Sequence, residues 1–421
     1  MHFRRQPALS VAARRARSLN PFRTLLAHRN FRLFWTGQTL SLIGSWMQVM
    51  AQGWLALELS NNAFLVGLVA SVGSLPILVL SLPAGVVVDR VNKLRLVTAM
   101  QALMLLEATA LWWLTWSHHI TIEWLLVLAA VNGTCSAFEI PARQAMMVDL
   151  VAREDLHDAI ALNSSGFNLA RVVGPAIGAA VIATAGIAWC FALNAASYLA
   201  VLAGLAMIRL QPAAPATTPP ASPWTAMVAG IRYMVATRKI NALMQVVTVF
   251  SILGIPYIVL MPVVARDLLH TGAAGYGVLL ACVGIGGFCG ALFLAAVGRW
   301  MRRGRLLQAA TISYGVLLIL FSLSRSMLVS CIVLLAAGCA MILSGALANG
   351  LLQANVEDAL RGRLMAAYSF VVVGLSQVVG AFFAGAVARA VGVDWAIGGA
   401  AVIMLAYMRF AYSRYPELKR L

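Results

Sequence analysis

Apolar runs of about twenty residues, each long enough to cross a bilayer core, recur from one end of the chain to the other. They predict twelve helical spans, at 33–57, 63–87, 96–116, 121–140, 161–184, 188–208, 240–263, 275–297, 306–324, 327–349, 365–388 and 393–412. Three spans are interrupted by polar side chains at steps of three and four, which places those side chains on one helical stripe. The first carries Gln38, Ser41, Ser45, Gln48 and Gln52, the fourth Asn132, Ser136, Glu139 and Arg143, and the fifth Ser164, Asn168, Arg171, Pro175 and Gly178. Small and amide side chains can join helices by hydrogen bonds. Three stripes containing glutamine and arginine predict more, a shared polar cavity. The second half is drier, with Gln245, Thr248, Ser344, Ser376 and Gln377 and no deep charge.

Composition agrees with a lipid solvent. Of 421 residues 62% are hydrophobic and 11% charged, against about 25% charged in soluble domains. The runs are too long and continuous for barrel strands, and lipid requires the backbone to bond to itself, so the spans are helices. The net charge of +17 does not form a basic groove interleaved with aromatics, so no nucleic-acid partner is expected. Instead 27 Lys and Arg fall in or beside the termini and alternate loops, whereas Arg266, Arg325 and Arg389 occupy the opposite loops. That asymmetry predicts both termini in the cytoplasm. The six cysteines lie within the spans without metal-site spacing and read as small apolar residues, so no metal is expected. Residues 1–32, with eight Arg, read as a basic cytoplasmic tail rather than a cleaved leader.

A proline-rich stretch, Gln211–Pro223, divides the spans six and six and predicts an extended linker. The expected organisation is a six-helix bundle over 33–210, a cytoplasmic linker over 211–239, a second bundle over 240–412 and a short tail over 413–421. Gly67–Gly73 aligns with Gly277–Val283, and the basic loop Asp89–Arg95 then falls on Arg299–Arg305. Two similar six-helix halves around a midplane interface is the architecture of many secondary transporters. The fold class is therefore an all-α membrane protein with twelve transmembrane helices in two halves.

Two ionisable residues lie deep. Glu107 is about 18 Å along its helix from Arg95, and Arg171 about 15 Å into its span, at roughly 1.5 Å per residue. An ionised carboxylate at that depth is costly unless a cation pairs with it, so Glu107, with Glu139, is a proton-coupling candidate. Arg171 stays charged and must pair, reach water or hold an anion; Glu139 and Asp149 are the expected structural partners. Gln38, Gln48, Gln52, Asn132, Arg171 and Gln377 are the substrate-cavity candidates.

The segment Gly85-Val-Val-Val-Asp89-Arg90-Val-Asn-Lys93-Leu-Arg95 resembles the cytoplasmic loop motif of the major facilitator superfamily. The resemblance implies a latch between halves, with Gly85, Asp89, Arg90, Lys93, Arg95 and Arg143 as gating candidates and Arg143 as a partner for Asp89. The second-half copy, Gly298-Arg-Trp-Met-Arg302-Arg303-Gly-Arg305, lacks the aspartate. Ser165-Gly166 through Gly174-Pro175-Ala-Ile-Gly178-Ala179 is similar to the fifth-helix motif of antiporters, with Ala170 and Ala179 where that pattern prefers glycine. The chain as a whole resembles the enterobactin exporter-like branch, through Asn30–Gln38, Pro141–Ala145, Asn163 with Arg171 and Gly174-Pro175, Phe191–Ser197, and Arg361-Gly-Arg363-Leu-Met.

That resemblance implies a monomeric secondary exporter of the bacterial inner membrane, driven by the proton gradient without a cofactor, for a siderophore, drug-like molecule or occasionally a metal. No His-rich tail supports nickel. The alternatives are an importer or proton symporter of the same fold and, in a different class, a membrane-embedded enzyme or sensor. The sequence shows no paired carboxylates near a His, no phosphate-binding loop and no filter-like repeat of a channel.

Overall fold

The computed structural model describes residues 22–208, 223–297 and 301–419. The first 21 residues, most of the expected linker, the start of the second-half loop motif (298–300) and the last two residues lie outside the described set. The first half contains α1 (Arg29–Ser60), α2 (Ala63–Arg90), α3 (Lys93–Trp116), α4 (Ile122–Met147), α5 (Leu156–Ala185) and α6 (Ile187–Ala206). The second contains α7 (Arg238–Leu268), α8 (Gly272–Val297), α9 (Arg303–Leu323), α10 (Met327–Ala354), α11 (Leu360–Val391) and α12 (Val393–Arg414). Eleven of these, over at least part of their length, are long and apolar enough to cross a membrane. The remaining one, α1, is 32 residues long; its glutamine and serine stripe is what lowers its hydropathy.

Most helices outrun the spans read from hydropathy, and some of their starts are set by capping. Asn62 accepts the Phe64 amide and Asn92 the Arg95 amide, each at 3.0 Å, starting α2 and α3. Proline does not end them: α2 contains Pro76 and Pro83, α4 contains Pro141 and α5 contains Pro175, as neighbouring helices allow in lipid. In α7 and α11 the regular ladder loosens into π-helical turns at Phe250–Gly254 and Phe370–Gly380. A further helix, Pro223–Ala236, packs against α2 and the start of α11.

Consecutive helices alternate in direction. Turns 61–62, 117–121, 186, 269–271, 324–326 and 392 share one face, here the far face, opposite the basic face that carries the basic loops. Every positive-φ residue described lies in a far-face turn, as Asn61, His118, Gly186, His270 and Gly392 do, or directly after one, as Gly272 does at the start of α8. The packing repeats between halves: α2 crosses α4 as α8 crosses α10, and α3 packs on α4 and α6 as α9 packs on α10 and α12. At the α2–α4 crossing a Cβ on Gly133 would overlap the Gly73 carbonyl, and at α8–α10 one on Gly338 would overlap the Val283 carbonyl. Small residues let the backbones approach where lipid supplies no hydrophobic drive. Gly186 and Gly392, with φ of 94° and 97°, make the same one-residue reversal before α6 and α12.

The halves meet along two seams, α2–α11 and α5–α8. Phe64 stands edge-on to Phe382 at 5.4 Å, Trp54 stacks on Tyr276 at 6.2 Å, and the Ser71 hydroxyl donates to the Val378 carbonyl at 2.9 Å. Further in, Gly374 meets Leu78 and Gly284 meets Val172. These contacts run from the far face to about mid-helix, so this state is closed on that side.

Candidate functional site

The polar stripe of α1 turns into its own bundle. Gln48, 2% exposed, donates through Nε2 to both carboxylate oxygens of Glu107, at 3.2 and 3.0 Å. Asn132 on α4 donates to Glu107 Oε2 at 3.2 Å. Asn194 on α6 donates to Gln48 Oε1 at 2.7 Å, and Ser197 donates to the Asn194 carbonyl at 2.7 Å. Four helices thus converge on one carboxylate. It is 3% exposed, and its bonding partners are amides with no cation among the described residues.

A second layer lies six or seven residues nearer the basic face, roughly 10 Å along the helices. There Glu139 accepts Arg143 Nε at 2.8 Å and Gln101 Nε2 at 3.1 Å, with all three buried. Between the layers the Tyr198 hydroxyl meets Ser45 Oγ at 3.2 Å. At the basic surface Lys93 pairs with Asp149 at 3.1 Å. The first bundle therefore encloses a polar column from its basic face to Glu107. Helical spacing explains the α4 side, where Asn132, Glu139 and Arg143 at i, i+7 and i+11 share one face; Gln101 and Glu107 both belong to the buried part of α3.

The cavity candidates separate. Gln48 and Asn132 join the column around Glu107. Gln38, 4% exposed, has a buried carbonyl oxygen without a hydrogen bond, as does the Gln52 amide nitrogen. Gln377 sits half-buried on α11 and is not bonded to the first bundle among the described residues. Arg171 borders the α5–α8 seam. Its guanidinium lies over the Trp46 ring at 5.8 Å. Beside it is a crevice of about 10 Å³ lined from the second half by Val283, Gly284, Gly287, Phe288 and Ile342. The expected pairing of Arg171 is not formed, because Glu139 is held by Arg143 and Asp149 by Lys93.

The loop motif is likewise rearranged relative to expectation. Arg143 is committed to Glu139 one turn earlier on its own helix, and exposed Asp89 has no ion-pair partner among the described residues. Lys93 makes the cross-link to α4, while Arg90 and Arg95 are exposed and Gly85 has open space where a side chain would be. At the far face Arg266, Asp267, Arg389 and Asp394, with Asn61 and Asn62 of the first half, ring a cavity of about 430 Å³. Two ion pairs brace it, Arg325–Asp394 at 2.8 Å and Arg266–Asp267 at 2.6 Å.

Asn194, Gln101 and Tyr198 were not predicted as site residues. Asn194, Ser197 and Tyr198 stand at i, i+3 and i+4 on α6, the same stripe signal that marks α1. Tyr257 on α7, buried with an unbonded hydroxyl, gave no such signal, being one aromatic in an apolar run.

Comparison with known proteins matches this arrangement. Residues 17–420 fit the family model described as transmembrane secretion effector. The chain is 26% identical to the staphyloferrin A transporter of Staphylococcus aureus over 68% of its length and 72% of the relative's. It is 29% identical to the multidrug efflux pump Tap of Mycolicibacterium fortuitum, over 65% of this chain and 68% of that protein. The enterobactin exporter EntS of Shigella flexneri is 27% identical over 57% of this chain and 56% of its own. Among solved structures, a mutant of the peptide transporter POT superposes with a TM-score of 0.75 at 11% identity, covering 96% of this chain and 99% of POT. A bacterial homologue of the lysosomal transporter Spinster, inward-facing and occupied, gives 0.72 at 14% identity over 95% of this chain and 97% of its own. With a full-length match to the family, relatives of the exporter type and a shared fold, this chain belongs to the transmembrane secretion effector family of the major facilitator superfamily.

Proposed function

We propose that the protein exports a small organic molecule, siderophore-like or drug-like, across the bacterial inner membrane, driven by proton entry. Placing the basic face in the cytoplasm follows from the 27-to-three distribution of Lys and Arg. The far-face closure is then an inward-facing state, and rocking of the halves about their seams would expose the site alternately. Direction and cargo class are read from the relatives' names.

The observation that carries the coupling is Glu107, a carboxylate deep in the first bundle held by amides alone. Taking a proton there removes a buried charge without breaking an ion pair, and Gln48 and Asn132 can reorient to either form. Export predicts that an acid-inside gradient drives accumulation of a labelled candidate in inverted vesicles, and import that right-side-out vesicles accumulate it instead. Glu107→Gln is expected to lose gradient-driven accumulation while retaining gradient-free counterflow. Normal gradient-driven transport by the variant would remove Glu107 from the mechanism.

A further inference from the structure

The least compensated charge in the membrane-spanning region is Arg171. The two buried carboxylates described in its own bundle are occupied, Glu139 by Arg143 and Glu107 by Gln48 and Asn132, and Asp149 is held by Lys93. In the second half the acidic side chains described lie near helix ends, Asp267 and Asp394 at the far face, Glu357 towards the basic face and Glu417 after α12. A guanidinium taken from water into such a place needs an anion or several acceptors. Arg171 has one face on the Trp46 ring, and among the described residues no ion pair. Its other surroundings belong to the seam. Gly284 and Gly287 leave the crevice open, with Asn168 and Phe288 at its border.

A second donor comes from the opposite half. Tyr257 is 3% exposed and lies within electrostatic reach of Arg171. It stands edge-on to Tyr314 at 6.3 Å. Tyr314 spends its own hydroxyl on the Gly254 carbonyl at 2.8 Å, whereas the Tyr257 hydroxyl forms no hydrogen bond of normal geometry. A buried hydroxyl left unbonded costs about 1–3 kcal/mol, so the pair holds unspent binding capacity for one kind of ligand.

We infer that Arg171 and Tyr257 together hold an acidic group of the cargo, which is therefore an organic anion with an aromatic or otherwise flat frame. This deepens the transport reading above and rests on it. Arg171 presents five donors in a planar fork suited to a carboxylate, and Trp46 and Phe288 flank it with ring surface. Because one donor belongs to each half, the anion is gripped by both only when the halves approach, so cargo binding favours the occluded form. The crevice of about 10 Å³ has room for about one water-sized group; in this state it holds the position without the cargo's frame.

Equilibrium binding to the full-length protein in detergent tests this, using benzoate, benzamide and benzylammonium as probes that share one ring. Quenching of tryptophan fluorescence can report it, with Trp46 beside the site. Wild type is expected to bind benzoate about tenfold or more tightly than benzamide, the scale of a charge-assisted hydrogen bond. Arg171→Ala should erase that preference, Arg171→Lys should keep part of it, and Tyr257→Phe should weaken benzoate several-fold without changing benzamide. Absence of benzoate binding, equal binding of benzoate and benzamide by wild type, or a preference for benzylammonium overturns the inference whether or not any variant folds. A benzoate preference that survives Arg171→Ala also overturns it. The measurement uses no gradient, so failure of vesicle export leaves it intact, and its failure leaves export intact.

Discussion

The hydrogen bonds around Glu107 are unequal, and their loss should be unequal too. Gln48 bridges Glu107 and Asn194, so Gln48→Leu strips a donor from a buried carboxylate and an acceptor from a buried amide together. Asn132→Leu removes one donor only. Each orphaned group costs about 1–3 kcal/mol. Thermal unfolding of the purified protein should therefore place Gln48→Leu below Asn132→Leu and both below wild type; equal melting temperatures would contradict the bridging role. The sequence exposed these residues through helical spacing, since Gln48, Asn132 and Glu107 are polar positions in apolar spans. It did not reveal which way α1 is turned. A stripe states that residues share a face, and only the packed neighbours decide whether that face looks into the bundle or across to the other half. For the same reason Arg143 was matched with Asp89 across a loop, when a partner stood one turn away on its own helix.

Helix count and order were legible because lipid imposes a length and an apolar composition on every span. The ends were less so: the span read as 121–140 stops short, yet α4 runs through Pro141 to Met147, as a proline is tolerated inside a membrane-spanning helix packed by neighbours. Close crossings form a further level that hydropathy does not register. At Gly133 a side chain would meet the Gly73 carbonyl, whereas Gly345 on α10 faces open space. Gly133→Ala should cost roughly 1–3 kcal/mol through overpacking. Gly345→Ala should be neutral or stabilising by up to about 1 kcal/mol from helix propensity. Unfolding midpoints of the two variants check this, and similar losses in both would show that helix crossing is not what Gly133 serves.

Across the whole molecule the halves match in packing but not in chemistry. The amide-held carboxylate and the arginine at the seam both belong to the first half, while the second contributes tyrosines, glycines and the loosened turns of α7 and α11. If the seams separate in each cycle, tying one shut stops the cycle. With the native cysteines replaced, Phe64→Cys and Phe382→Cys joined by a short bis-methanethiosulfonate reagent should halt transport, and a reductant should restore it. Full transport by the cross-linked protein would mean that α2 and α11 do not part at the far face.

The far-face turns have one further consequence. They contain between one and five residues, and their left-handed backbone positions are already taken by glycine, asparagine and histidine. An antibody or a soluble protein arriving from that side finds no long loop among the described turns, only short reversals around the charged cavity. Epitope tags inserted there would have to break a reversal. On the opposite face the described connection 148–155, eight residues long, is the better place for a tag.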